Sequence, residues 1–400
     1  MEKEWSLLPD TSARAVEFSQ RIGTTPFTAA LLLHRGITSD EEARAFLHPE
    51  KQPFHDPFLM RDMEKAVSRI EQAIQAQERI VVYGDYDVDG ITATSLLCRN
   101  LRQLGANAGY FIPHRQKDGY GLHKETLDEI IAGGARLIVT VDCGISAVEE
   151  AAAAKDKVDL IITDHHLPGK ELPKALAVID PHRADCSYPD KNIAGVGVAF
   201  KLCQALWQKM RGKAFTGDLD IVALGTVADV VPLLGENRKI VQQGLRVLKK
   251  SKRPGIQALL AVTELQEKEI TAGHIGFVLA PRLNAAGRLA SALRGVELLL
   301  TEDGEEAQAI AEELDAANRE RQAVEQEILQ AAEKQIEEID VKRAHVLVLH
   351  GEGWHPGVIG IVASRIVERY YRPTVIIAEE DGIGKGSCRS IRGFHMFEAL

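Results

Sequence analysis

The sequence predicts an α/β protein: a mostly parallel sheet with helices on both faces, a long connecting helix, and the start of a second α/β domain. Three observations carry this. Between residues 64 and 163, short β-branched apolar runs alternate with helical stretches, the pattern that builds parallel sheets covered on both sides. From 304 to 339, apolar residues recur at helical spacing with acids between them, the mark of an amphipathic helix. From 346, a strand, a helix and another strand begin afresh.

The elements follow in order. Residues 1–55 read as an N-terminal segment of short helices and loops, without evident chemistry. A main domain, 56–303, opens on a helix at about Glu64–Gln77. Ile80-Val81-Val82-Tyr83, ended by Gly84, is a buried strand because it is short, apolar and β-branched. A helix (Ile91–Leu104), a strand (Gly109–Ile112) and a helix (His123–Ala132) come next. The strand Leu137–Val141, the helix Ala147–Ala154 and the strand Val158–Thr163 complete the alternation. Residues 194–300 are mainly helical. The connecting helix, 304–340, sets Ile310, Leu314, Ala317, Val324, Ile328, Ala332 and Ile336 on one stripe. Val346–Leu349, Ile359–Val367 and Pro373–Ala378 then open the second domain, 341–400. It stops at Leu400 after about 60 residues, short for an independent core. The chain is therefore expected to be truncated within that domain.

Composition excludes several classes. Apolar residues make up 45% and charged residues 26%, as in ordinary globular proteins. No apolar run approaches the ~18 residues of a membrane span, and the start lacks a secretory apolar region. Five cysteines, with no C-x-x-C pair, suit a reducing cytoplasm rather than a disulfide scaffold. The net charge of −10 looks hostile to nucleic acid, but its distribution matters more than its sum. Residues 301–340 carry 14 acids and three bases, a balance of −11, so the remaining residues sum to +1. The run 238–253 holds seven Lys/Arg and no acid, and reads either as a solvated helix face or as a patch for a polyanion.

The sharpest local feature is Gly84-Asp85-Tyr86-Asp87-Val88-Asp89-Gly90, three carboxylates directly after a strand. Clustered carboxylates repel unless a cation neutralises them, so a hard-metal site is expected. An EF-hand loop is the rival, but its bidentate glutamate would fall on Leu96, and a strand rather than a helix precedes the motif. Val139-Thr140-Val141-Asp142 places an acid at a second strand end, and Ile161-Ile162-Thr163-Asp164-His165-His166 places Asp-His-His at a third. One such acid would serve as a helix N-cap, and an isolated histidine is usually a satisfied core residue. Three strand ends on one sheet edge are harder to explain that way, because such edges are where α/β sheets bind ligands. Asp229 lies in an apolar helical stretch, where an unpaired carboxylate would be costly. The inventory exceeds one ion and fits two divalent cations sharing a carboxylate, roughly 3.5–4 Å apart in such sites. Mixed oxygen and nitrogen ligands favour Mn²⁺ over Mg²⁺. The chemistry such a pair supports is in-line hydrolysis at phosphorus.

These residues resemble the DHH phosphoesterase superfamily, in particular its bacterial single-strand-specific exonuclease branch. The carrying segments are VVYGDYDVDG (81–90), VTVDCG (139–144), TDHH (163–166), LGTVADVVPL (224–233), APRLNAAGR (280–288) and HPGVIGIVASR (355–365), with HRGITSDEEARAFLHP (34–49) upstream. The resemblance implies a DHH domain, a long helix and a DHHA1 domain. It implies processive 5′→3′ hydrolysis of single-stranded DNA to mononucleotides in recombination and repair, with a single-strand-binding protein and a helicase as expected partners and no membrane. By motif position it implies Asp85, Asp87, Asp89, Asp142, His165 and Asp229 as metal ligands. It further implies that His166 belongs to the catalytic set, either holding a scissile phosphate oxygen or supporting the ligands from behind, and that Asp164 orients an imidazole. Arg115, Arg282, Ser387 and Arg389 are implied to bind substrate, a role that suits guanidinium forks.

Two departures stand out. The family pattern Gly-Ser-Gly-Arg-Ser carries Cys388 in place of its middle glycine; if that glycine lets the backbone approach a phosphate, Cys388 is expected to crowd it. The family's OB-fold, a source of aromatic stacking and a basic groove, does not follow before Leu400. Two other readings are carried: a small-substrate relative (pyrophosphatase, oligoribonuclease or cyclic-dinucleotide phosphodiesterase), and a truncated, inactive nucleic-acid-binding module.

Overall fold

The computed structural model describes Leu7 and residues 9–115, 118–289 and 291–400. These fall into two compact units: residues up to Asn284 with Ala292–Ala311, and Ala285–Ser291 with Glu312–Leu400.

The first unit is built on β1 (Arg79–Gly84), β2 (Asn107–Phe111), β3 (Leu137–Val141), β4 (Asp159–Thr163) and β5 (Ala177–Ile179). All pairs are parallel, in the order β2-β1-β3-β4-β5. Parallel pairing requires crossovers, and the predicted helices supply them. The helices Lys124–Ala132 and Val148–Ala154 cover one face, where Val81, Tyr83, Ile138, Leu160 and Ile162 are buried. The helices Val88–Gln103 and Gly195–Arg211 pack on the other. β5 was not foreseen, because three residues, Ala177-Val178-Ile179, are too few to show a period.

Strand order reverses between β1 and β3, which makes their carboxyl ends a topological switch point, the place where such sheets bind ligands. The register is equally informative. Gly84 pairs with Val141, and Val141 with Thr163, so Asp85, Asp142 and Asp164 each follow a residue at one common level.

Before the sheet, the helices Ser12–Ile22, Pro26–His34 and Asp40–Leu47 share a small core of Ala15, Phe18, Ala29, Leu32, Ile37 and Ala43. The helix Gly304–Glu337 runs 34 residues. Ile310, Leu314, Ile328, Ala332 and Ile336 are buried as their spacing foretold, but its buried stripe also carries Asn318, Arg321 and Glu325. Arg321 donates to Asn318 at 3.0 Å and to Glu325 at 2.6 Å, so the polar break in the stripe is internally satisfied.

In the second unit, β6 (Leu347–Glu352) and β7 (Thr374–Glu380) pair parallel, and β8 (Ile383–Arg389) returns antiparallel. The helix Ile359–Tyr370 and residues Ile328, Ala332 and Ile336 close the core over Leu347, Leu349 and Ile376.

Candidate metal centre

The β1 carboxyl end turns directly into the helix Val88–Gln103. Asp87 caps that helix, its carboxylate accepting from the amides of Asp89 at 2.9 Å and Gly90 at 3.1 Å. The turn is tight enough that a Cβ on Gly90 would stand 2.4 Å from the Asp85 carbonyl oxygen, so only glycine fits there. Asp85 and Asp89 are both buried.

After β3, Asp142 adopts a left-handed backbone, φ 59, a region aspartate tolerates better than most side chains. Its carboxylate packs against Gly195, where an added Cβ would stand 2.6 Å from Oδ1. After β4, Asp164 organises its own turn. Its Oδ1 accepts from the amides of His165 (2.7 Å) and His166 (3.2 Å) and lies 2.8 Å from His166 Nδ1, while Oδ2 accepts from Ile145 N at 2.9 Å. Asp164 therefore orients the His166 ring, whereas its hydrogen bond to His165 is to the backbone amide.

His165 Nε2 lies 3.1 Å from Asp142, 3.7 Å from Asp89 and 3.7 Å from Asp229. Among the described residues, three groups of side chains offer ligand atoms within 4.8 Å of one another: Asp85, Asp87 and Asp142; Asp89, His165 and Asp229; and Asp142, His165 and His166. Asp142 belongs to two of them, as does His165. All six expected ligands are thus gathered, with His166 beside them. Asp229 departs from its expectation in one respect. It caps the end of the helix Leu219–Ala228 rather than lying inside it, and its side chain is 23% exposed.

The electrostatics call for cations. Asp85 Oδ1, Asp142 Oδ1 and His165 Nε2 are buried and make no well-formed hydrogen bond, although the last two stand 3.1 Å apart. Burial, then the neighbouring Asp87, pushes Asp85 and Asp89 up to about 7. Burial, then Asp89, does the same to Asp229 and drives Asp142 well above the carboxylate range. Burial holds His165 below the usual imidazole value. Such donors, hard and underbonded, fit divalent cations. Asp164 behaves oppositely: burial raises it, but the His166 hydrogen bond and the amides outweigh that and leave it lowered. The same bond raises His166 to about 9 against its burial.

Arg115 stacks its guanidinium 4.8 Å from the Tyr86 ring, beside the Asp85 turn. Arg282 lies in the first turn of the helix Ala280–Leu289 and donates to the Val278 carbonyl at 2.6 Å, in a π-helical stretch, Ile275–Leu279. Ser387 and Arg389 lie on β8 of the second unit, where Arg389 donates to Ser364 Oγ at 3.1 Å and to Ser387 Oγ at 3.4 Å. Cys388 does not crowd that cluster. Alternation along β8 turns its side chain to the opposite face of the sheet from Ser387 and Arg389.

Some supporting groups went unread in the sequence. The amides of Gly195 and Val196 donate to the Asp89 carboxylate at 2.6 and 2.8 Å. The signal was the Gly-x-Gly at 195–197 opening a helix, an anion-binding arrangement. Tyr120, 3.2 Å from His166 Nδ1, gave no comparable signal.

Comparisons with known proteins agree with this geometry. Residues 79–226 match the DHH family, N-terminal domain, and residues 342–400 the DHHA1 domain. The single-stranded-DNA-specific exonuclease RecJ of Bacillus subtilis is 44% identical over 99% of this chain and 50% of its own length. That of Escherichia coli is 43% identical over 94% and 67%. The chain thus spans half to two thirds of these relatives. A crystal structure of exonuclease RecJ bound to manganese superposes with TM-score 0.77 at 38% identity, covering 87% of this chain and 86% of the other. RecJ of Thermus thermophilus in complex with Mn²⁺ gives 0.82 at 35%, covering 97% and 55%. Sheet order, clustered ligands and these similarities converge: the chain belongs to the DHH family, among the RecJ proteins.

Proposed function

We propose that the chain hydrolyses single-stranded DNA from its 5′ end to mononucleotides, using two divalent cations, in DNA repair and recombination in the cytoplasm. The observation that carries this is the sharing of Asp142 between two groups of converging ligands. Asp85, Asp87 and Asp142 would hold one cation and Asp89, His165 and Asp229 the other, with Asp142, whose carboxylate lies 3.1 Å from His165 Nε2, available to both. Mn²⁺ is favoured over Mg²⁺ because an imidazole accompanies the carboxylates. When bound, such a pair supplies a nucleophile at neutral pH and a clamp for the phosphate under attack.

The chain's own residues do the rest. Asp164 keeps the His166 ring fixed and protonated, with Nε2–H left to offer a phosphate oxygen. Arg115 and Arg282 supply guanidinium groups suited to phosphate oxygens. Ser387, Arg389 and Ser364 form a hydroxyl and guanidinium cluster suited to a terminal phosphate, which would make the reaction depend on a 5′ end. A single-strand-binding protein and a helicase are the partners this activity would call for.

The test is a digestion panel in Mn²⁺ with 5′-phosphorylated single strand, duplex, pyrophosphate and cyclic dinucleotide. Preferential loss of mononucleotides from the single strand, abolished in Asp87→Ala and His165→Ala, is expected. Turnover of the small substrates alone would replace this reading with that of a small-substrate phosphoesterase. Strand binding without turnover would replace it with an inactive binding module.

A further inference from the structure

Asp229 is the candidate ligand that leaves its helix end through a strained residue. Val230, next in the chain, sits at φ 60 with 85% of its surface exposed. A β-branched side chain rarely adopts that region, so the surrounding structure must hold it there. The chain then runs through Pro232 and turns into the helix Gly235–Lys249. In that helix's first turn lies Asn237, fully buried. Its Nδ2 donates to the Pro232 carbonyl at 3.1 Å and to the Asn192 carbonyl at 2.6 Å.

Both acceptors lead to the metal centre. Pro232 is three residues past Asp229. Asn192 is three residues before Gly195, whose amide, with that of Val196, holds Asp89. One side-chain amide therefore ties the segment carrying Asp229 to the segment that fixes Asp89. Asp190 reinforces the tie, accepting from the amides of Asn192 at 3.2 Å and Glu236 at 2.9 Å. Asp89, Asp229 and His165 together form one of the converging groups.

We propose that Asn237 is a positioning residue for this cation site, setting the separation of Asp89 and Asp229 against the strain at Val230. The proposal rests on the metal reading above. Partners beyond the ligands themselves commonly alter metal affinity about 10–100-fold when removed.

The test is Mn²⁺ binding by calorimetry, with thermal unfolding recorded on the same samples. Asn237→Asp keeps the shape and turns the donor into an acceptor facing two carbonyls. It is expected to stay folded and to bind Mn²⁺ at least about 10-fold more weakly at the Asp89–Asp229 site. Should it not fold, the smaller, uncharged Asn237→Ser carries the same expectation. Adding Val230→Asn, a residue that accepts the left-handed region, is expected to recover part of the loss. The Mn²⁺ midpoint of activity is expected to rise while kcat at saturating Mn²⁺ largely returns. Asn100→Asp is the control, since Asn100 is equally buried and bonds Leu96 O and Asp218 at the far end of its helix. Unchanged Mn²⁺ affinity in Asn237→Asp, or an equal loss in Asn100→Asp, would overturn the proposal. A wild-type chain that takes up no Mn²⁺ would instead remove the metal reading beneath it.

Discussion

At the scale of single residues, the centre is a set of charges assembled at a cost. Asp85, Asp89 and Asp229 stand near 7 in the folded chain without metal, against 3.8 when free. A folded-state value raised in this way contributes stability below the unfolded value and loses it as pH rises through the folded one. The metal-free protein is therefore expected to melt at progressively lower temperature from about pH 4 to pH 7 and above. Saturating Mn²⁺ should remove most of that fall, because the ion replaces the missing counter-charge. Thermal unfolding in chelator and in Mn²⁺ across this range checks it, and parallel curves would contradict it. Asp87 combines a helix cap with the ligand role proposed for it, and substitution can separate the two. Asp87→Asn and Asp87→Ala both remove the charge and should both abolish turnover. Only Asp87→Ala also loses the helix cap, so it should unfold about 1 kcal/mol more easily by denaturant titration in chelator.

At the scale of elements, the site exists because β1, β3 and β4 are in register. Adding one residue between Val141 and Asp142 would move that carboxylate off the level of Asp85. Close approach matters as much. Gly195→Ala puts a methyl 2.6 Å from Asp142 Oδ1. It is expected to cost about 1–3 kcal/mol of stability and to weaken Mn²⁺ binding, both measurable on the same samples. Much of this was legible in the sequence. Val81-Val82-Tyr83-Gly84 and its counterparts announce strands, and the acids follow each one directly. What was not legible depends on distant segments meeting. The Gly195 and Val196 amides reach Asp89 across 106 and 107 residues, and no local period encodes that. Asn237 bridges segments for the same reason. The face of β8 that Cys388 occupies was not legible either, because it depends on the pairing with β7.

At the scale of the whole chain, the basic run 238–253 has a divided role that its charge alone did not reveal. Arg238 donates to the Phe46 carbonyl at 2.7 Å and stacks 3.7 Å from the Phe46 ring, while Lys239 donates to Gln52 O. These two cations clip the helix Asp40–Leu47 and the linker after it to the helix Gly235–Lys249. Beside them Glu236, buried, accepts from Lys201 at 3.0 Å, His55 N at 2.9 Å and the Tyr188 hydroxyl. Arg253 pairs with Asp218 and Asp220, and Arg246, Lys249, Lys250 and Lys252 are left on the surface. Breaking the buried pair strands a charge, so Glu236→Ala is expected to cost about 3–5 kcal/mol in denaturant unfolding. A loss below about 1 kcal/mol would mean that Lys201 finds another partner.

The central claim, two cations sharing Asp142, is tested most directly by counting Mn²⁺ per chain in the wild type and in Asp142→Asn, by calorimetry backed by anomalous diffraction at the manganese edge. Two ions flanking Asp142 in the wild type, and loss of at least one in the variant, are expected. A single ion in the wild type, or two bound equally well without the Asp142 carboxylate, would contradict it.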